Sequence, residues 1–358
     1  MTTTAGVATS IRVTPVSASR RREPGTPQPA FGSVFSDHML VATHSQGQWR
    51  DIEIVPYDQL SLSPATSALH YGLAIFEGMK AYRTVDDHLV LFRPQKHSER
   101  LNRSCRRVVL PEVPEALFME GIRELVGLDR EWVPPSDEGS LYIRPLLFGA
   151  DDTLRVKPAA SSRFVVMTGP VGGYFSSALN LVTSQEYARA FAGGTGDIKL
   201  SGNYGASMLA EKEAQAKGYA TMLWLDAKEH LYVEECGVMN VFFVIAGKVV
   251  TPNLSGTILA GVTRDSVITI LRDLGFSVEE RPITITEVVA AHESGQLTEC
   301  FGTGTAAAIA HVSAITHEGE ELTLPAVERR EIASAALDRL VQIRAGRHPA
   351  PEGWLVPI

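Results

Sequence analysis

Lys199 carries the clearest prospect of chemistry in this chain. It lies in Asp197-Ile198-Lys199-Leu200-Ser201-Gly202-Asn203-Tyr204-Gly205. Flanked by Ile and Leu and followed by a glycine-rich helical start, its ammonium is poorly placed for hydration. Burial disfavours the charged form, which is what an imine-forming amine needs. A surface lysine lying over apolar neighbours fits the same string. Glu235, in Glu234-Glu235-Cys236-Gly237-Val238-Met239-Asn240, ends one strand pattern and precedes a very apolar one. A buried carboxylate there requires a cation, such as a protonated ring nitrogen; a solvated Glu234-Glu235 turn is the alternative. Gly261-Val262-Thr263-Arg264 opens a helix whose first N–H groups attract a phosphate, although Thr263 as an ordinary N-cap is equally compatible. The small residues of Gly302-Thr303-Gly304-Thr305-Ala306-Ala307 let successive N–H groups converge on an anion, or simply form a packing turn. Tyr142 and Arg144 are two apart in a strand pattern and share a face, where phenol and guanidinium form a fork for a carboxylate. Pro145 is expected at a strand edge or end. Phe31 and Phe35, Tyr71 and Phe76, and Tyr174 and Phe175 serve either the core or an apolar ligand pocket.

The elements that must position these residues follow from pattern. Residues 79–83 and 88–92, joined by Thr84-Val85-Asp86-Asp87, read as a hairpin. Pro94 opens a helix with Leu101, Cys105 and Val108 at helical spacing among Arg100, Arg103, Arg106 and Arg107. Spacing does not choose among those four arginines. Strand patterns return over 141–148 and 164–168. Glycine-rich breaks follow at 169–173 and 192–196, and the domain boundary is placed between them. Beyond it come a helix over 205–217, strands over 221–226, 230–234, 238–246 and 249–251, and a helix over 263–274 stopped by Gly275. This is an α+β chain in two lobes: a flexible N-terminal extension over 1–30, a smaller domain over 31–173, an interdomain loop over 174–186 and a larger domain over 187–358.

Composition narrows the function classes. The 358 residues carry 33 Lys and Arg against 41 Asp and Glu, a net charge of −8, which argues against a nucleic-acid binder. No apolar run is long enough to cross a membrane. Cys105, Cys236 and Cys300 are too few and too scattered for a disulfide framework or thiolate zinc site; inert buried thiols and a reducing compartment are expected. Residues 1–30 contain Arg12, Arg20, Arg21 and Arg22 but one acid, Glu23. That composition suits an organelle transit peptide or a surface extension, so the expected location is the cytoplasm or an organelle matrix.

Taken in order, Phe35-Ser36-Asp37-His38-Met39, His70-Tyr71-Gly72-Leu73-Ala74-Ile75-Phe76-Glu77-Gly78-Met79-Lys80, Tyr142-Ile143-Arg144-Pro145, Lys199-Leu200-Ser201-Gly202-Asn203-Tyr204, Glu235-Cys236-Gly237-Val238-Met239-Asn240, Leu259-Ala260-Gly261-Val262-Thr263-Arg264 and Gly304-Thr305-Ala306 resemble the branched-chain amino acid aminotransferases. These are class IV, or fold type IV, pyridoxal 5'-phosphate enzymes. The resemblance implies a two-lobed architecture with a smaller N-terminal α/β lobe, a larger C-terminal lobe built on a β-barrel-like core, and a homodimer or higher homo-oligomer. It implies ping-pong transamination between L-leucine, L-isoleucine or L-valine and 2-oxoglutarate. Lys199 would bond to the cofactor aldehyde and shuttle the proton between Cα and C4′. Glu235 would pair with the pyridine nitrogen and Tyr204 with the phenolic oxygen, while Arg100 and the backbone at Val262 and Thr263 would hold the phosphate. Thr305 and Ala306, helped by Tyr142, would take the substrate α-carboxylate; Arg144 would read the side-chain carboxylate of glutamate. Phe35, Tyr71, Phe76 and Tyr174 would line the apolar pocket. His311 stands where many relatives have proline, which puts local loop geometry in question. Ala307 and Ala310 occupy the places of a redox Cys-x-x-Cys found in some relatives. A D-amino acid aminotransferase or an aminodeoxychorismate lyase shares Lys199 and Glu235 and is the competing assignment.

Overall fold

The computed structural model describes residues 10–21, 31–172 and 177–358; Tyr174 and Phe175 lie outside them. The chain divides into two compact units, residues 1–172 with 351–358 and residues 173–350.

The first unit is a nine-stranded sheet. Its path runs Arg12–Val13, Gln48–Pro56, His38–Ser45, Ser161–Val171, Ser140–Gly149, Met79–Arg83, Leu89–Phe92 and Leu355–Pro357, with Ala74–Phe76 also on Ser140–Gly149. The expected hairpin forms, Ala81 opposite Leu91, and Pro94 opens the helix Pro94–Val108. That helix buries His97, Arg100, Leu101, Ser104 and Cys105, the i, i+3, i+4 and i+7 stripe of a core-facing helix.

Three expectations fail here. Residues 10–21 are pinned rather than flexible: Arg12–Val13 pairs in parallel with Gln48–Pro56, and the Ser19 hydroxyl and the Arg20 N–H both donate to Asp37. A buried carboxylate needs donors, and this segment supplies them. Residues 351–358 join the first unit, not the larger domain, because Leu355–Pro357 fills the open edge of Leu89–Phe92. Pro145 sits in a central strand. Its carbonyl accepts from the Glu77 N–H, so its missing N–H points the same way, toward the gap between the short strands Ala74–Phe76 and Met79–Arg83.

The second unit is built on a closed ring of six strands: Val233–Cys236, Thr221–Leu225, Leu179–Val182, Ala308–His317, Leu297–Gly304 and Met239–Ile245, which pairs back onto Val233–Cys236. Closure removes the sheet edges and confirms the barrel core. Its interior is apolar, with Leu181, Leu223, Val241, Phe243, Cys300, Val312 and Ile315 fully buried or nearly so. Residues 179–182, expected within a connecting loop, therefore form a barrel strand. The helix expected over 205–217 starts earlier and breaks at Ser207, giving Ser201–Ala206 and Met208–Ala216. His311 lies in a regular strand opposite Phe301. All three cysteines are buried; burial pushes the Cys105 thiol up to about 12 and also raises the Cys236 and Cys300 thiols well above the usual thiol range. Among the described residues no helix is long and apolar enough to cross a membrane.

Candidate active site

Lys199 immediately precedes the helix Ser201–Ala206 and is half-buried. Its Nζ donates to the Tyr204 hydroxyl at 2.8 Å; with Lys199 just ahead of the helix, Tyr204 one turn in comes round beneath it. The loop before the lysine is fixed by Asn203, whose Nδ2 donates to the carbonyls of Thr195 and Ile198 at 2.7 and 3.0 Å. Gly196 can be nothing larger, because a Cβ there would collide with the Thr257 carbonyl oxygen.

Glu235 is 4% exposed, so the solvated-turn alternative is excluded. The Leu259 N–H donates to its Oε1 at 2.8 Å. Asn240, directly opposite in the hairpin, donates to the same oxygen at 3.4 Å and to the Leu259 carbonyl at 2.9 Å. Arg189 supplies the buried countercharge, with Nε 3.3 Å from Oε2. Arg189 also donates to the carbonyls of Gly196 and Thr257. One guanidinium thus ties the lysine loop, the carboxylate strand and the approach to the next helix. Sequence patterning missed it, since nothing around Arg189 marks it as buried.

That next helix is Val262–Asp273, and its N-cap is Gly261 without a side-chain cap. Thr263 is therefore not the N-cap but the second helical residue, 4% exposed. Gly261 is required by packing, because a Cβ would collide with Asn240 Oδ1. The turn Thr305–Ala307 joins Leu297–Gly304 to Ala308–His317, and Thr303 pairs opposite Asn240. Glu235, Asn240 and Thr303 thus run across three adjacent strands, with the turn two residues beyond.

In the first unit, Arg144 donates to the Tyr142 hydroxyl at 3.1 Å, as the shared strand face requires. Its guanidinium carbon lies 4.7 Å from the centre of the Phe76 ring, and Phe31 meets Tyr142 edge-on at 4.8 Å. Arg144 Nε is buried without a hydrogen-bond partner. Tyr142 stands over Gly78, where a Cβ would meet its hydroxyl. Phe35 passes over Gly169, opposite Tyr142 in the sheet, but its ring stacks on Tyr57 at 4.6 Å. Tyr71 is exposed and its hydroxyl donates to the Leu154 carbonyl, apart from that cluster.

Arg100 is separated from the other three arginines by its partner. Its Nε and a terminal nitrogen donate to the two Glu77 oxygens at 2.6 and 2.8 Å, and His97 Nδ1 lies 2.8 Å from Glu77. Burial alone would raise the Glu77 pKa, but Arg100 and His97 outweigh it and hold the carboxyl far below its usual range.

A two-unit chain with a six-stranded barrel, a lysine before a helix and a buried carboxylate facing an uncapped helix start defines a family. The class IV amino-transferase family model matches residues 74–315, and the chain belongs to that family. It is 41% identical to branched-chain-amino-acid aminotransferase 2 of Bacillus subtilis (strain 168) over 347 residues, 96% of each chain. Among solved structures it resembles the branched-chain aminotransferase of Thermoproteus uzoniensis with norvaline, at TM-score 0.74 and 27% identity, covering 89% of this chain and 99% of that one. It also resembles the branched-chain amino acid aminotransferase of Escherichia coli, at TM-score 0.72 and 26% identity, over 89% of this chain and 98% of that one.

Proposed function

We propose that this chain is a branched-chain-amino-acid aminotransferase, exchanging the amino group of leucine, isoleucine or valine with 2-oxoglutarate and using pyridoxal 5'-phosphate. The observation that carries the reading is the Lys199–Tyr204 pair together with the buried, arginine-paired Glu235 in one barrel-based unit. The donor set fits the cofactor: an amine, a buried carboxylate, and a helix start left uncapped at Gly261, where Val262 and Thr263 offer N–H groups to a phosphate. Thr305 and Tyr204 add hydroxyls. When bound, the cofactor supplies an aldehyde and an electron-accepting ring.

The chain's own residues do the rest. The Lys199 amine removes the proton at Cα of the donor amino acid and, in the second half-reaction, supplies one to Cα of the amino acid formed, and the Tyr204 hydroxyl accepts from that amine and holds its direction. Glu235, paired with Arg189 and the Leu259 N–H, anchors a cationic ring nitrogen. Glu235→Gln keeps the shape but removes that charge, so kcat is expected to fall by about two to four orders of magnitude, comparable to losing a general acid–base group, with folding retained. A steady-state rate within about fivefold of the unaltered enzyme, less than any such loss, would contradict this.

Thr305 and Ala306 serve the α-carboxylate, and Phe76, with its ring under the Arg144 guanidinium, serves the aliphatic chain. The partnerless Nε of Arg144 suits a second carboxylate, so one pocket serves both an apolar donor and glutamate. Arg144→Ala is expected to cost about 2–3 kcal/mol in kcat/KM for glutamate, the scale of a charge-assisted hydrogen bond, and much less for leucine. Equal losses would show that Arg144 does not read the second acid. A coupled assay of L-glutamate with 2-ketoisocaproate tests the whole reading. Activity on D-alanine in place of it would favour the D-amino acid alternative. A homodimer is part of the same reading, and sedimentation measures it directly.

A further inference from the structure

Beside the barrel strand Val233–Cys236 lies a cavity of about 700 Å³, walled by Ala190, Phe191, Tyr232, Pro252 and Ile258 and lined also by Glu234. The register shifts by one residue here, so Glu234 is the extra residue of a β-bulge between Val233 and Glu235: Glu235 borders the small space shared with Tyr204 and Ile198, whereas Glu234 lines this larger one. The cavity residues all belong to the second unit. Phe191 is 66% exposed and Tyr232 40%, an apolar lip of the kind that ligand sites carry.

Its charges are not equivalent. Asp226 is consumed by the N–H groups of Lys228, Glu229, Leu231 and Tyr232. Glu229 pairs with Lys228 at 3.1 Å. Glu234 is 5% exposed, and its Oε2 is buried with no hydrogen-bond partner. A buried carboxylate oxygen without a donor is a costly arrangement unless a ligand completes it. The terminal torsion of a glutamate is soft, so a small rotation brings that oxygen to the cavity wall.

We propose that this cavity is a second ligand site, selecting a short-chain aliphatic ammonium ion whose N–H reaches Glu234 while its hydrocarbon lies against Phe191, Pro252 and Ile258. Glu234 is placed to discriminate by protonation as well. Burial raises its pKa to about 6, against the lowering influence of the Thr257 hydroxyl and Arg189 and with Glu235 and Asp226 adding to the rise; Lys228 and Glu229 complete the charged surroundings at the rim.

The test is calorimetric titration of the holoenzyme with N,N-dimethyl-3-methylbutylammonium, which keeps one N–H donor but cannot condense with an aldehyde. Saturable one-to-one binding is expected at pH 7.5. Glu234→Gln is expected to weaken it about tenfold or more, the scale of one charge-assisted hydrogen bond. Lowering the unaltered enzyme to pH 5 is expected to weaken it about tenfold, as most Glu234 becomes neutral. Ala227→Trp, at the exposed turn beside the cavity, is expected to block it without touching the core. Absence of saturable binding, or equal binding by Glu234→Gln or Ala227→Trp, overturns the proposal.

Discussion

Lys199→Ala is expected to reduce kcat by about four orders of magnitude, the upper range for removing a positioned general base. No neighbour can substitute. Tyr204, which accepts from the Lys199 Nζ at 2.8 Å, offers only a phenol, too weak a base for this step. Glu235 is fixed by Leu259, Asn240 and Arg189 on the adjoining hairpin. The loss is therefore one of a specific amine, not of the site's shape, since the loop is held by Asn203 rather than by the lysine. Added methylamine is expected to restore a measurable fraction of the rate to Lys199→Ala, because a small amine fits where the side chain was removed. A variant retaining a tenth of the rate, measured by coupled assay, would remove Lys199 from the mechanism.

The largest effect on stability is expected at Glu77. Removing one partner of a buried charge network costs about 3–5 kcal/mol, and Glu77→Ala takes the carboxylate from both Arg100 and His97 at a fully buried site. Glu77→Gln is expected to be milder, since it keeps an acceptor while losing the charge. The sign with pH follows from the direction of the shift. The folded-state pKa is depressed, so the stabilisation is complete above the ordinary value of 4.5 and is lost as pH falls below it. Denaturant midpoints measured from pH 7 down to pH 3 are expected to drop steeply for the unaltered chain and more gently for Glu77→Gln. A cost below about 1 kcal/mol for Glu77→Ala, well under the range for a buried pair, would show that Arg100 is held by other contacts.

Much of this was legible locally. The turn Thr84-Val85-Asp86-Asp87 and Pro94 announce a hairpin and a helix start through residues only a few positions apart. The shared strand face of Tyr142 and Arg144 needs only a period of two. What stayed hidden depends on partners far away in sequence. Arg100 pairs with Glu77, 23 residues earlier, which no local pattern announces. Arg189 acquires its meaning from Glu235 and Thr257. Pro145 breaks the edge-strand rule because its two short partner strands leave a gap where its N–H would have been. Thr263 resembled a cap in one dimension, but Asn240 packs so closely that only Gly261 fits the cap position. The branched-chain resemblance singled out Arg100 where periodicity could not, and the structure pairs that arginine with Glu77.

The strand Leu355–Pro357 has a consequence for biosynthesis. Its slot beside Leu89–Phe92 stays vacant on the ribosome until everything between has been translated, so the nascent first unit carries an unsatisfied β-edge through most of its synthesis. Such an edge invites intermolecular pairing. Arg93 and Trp354, whose guanidinium and indole stack at 4.7 Å, act as a latch that closes only once residue 354 has been synthesised. Chains trimmed before residue 351 would therefore aggregate, however well the barrel itself had folded.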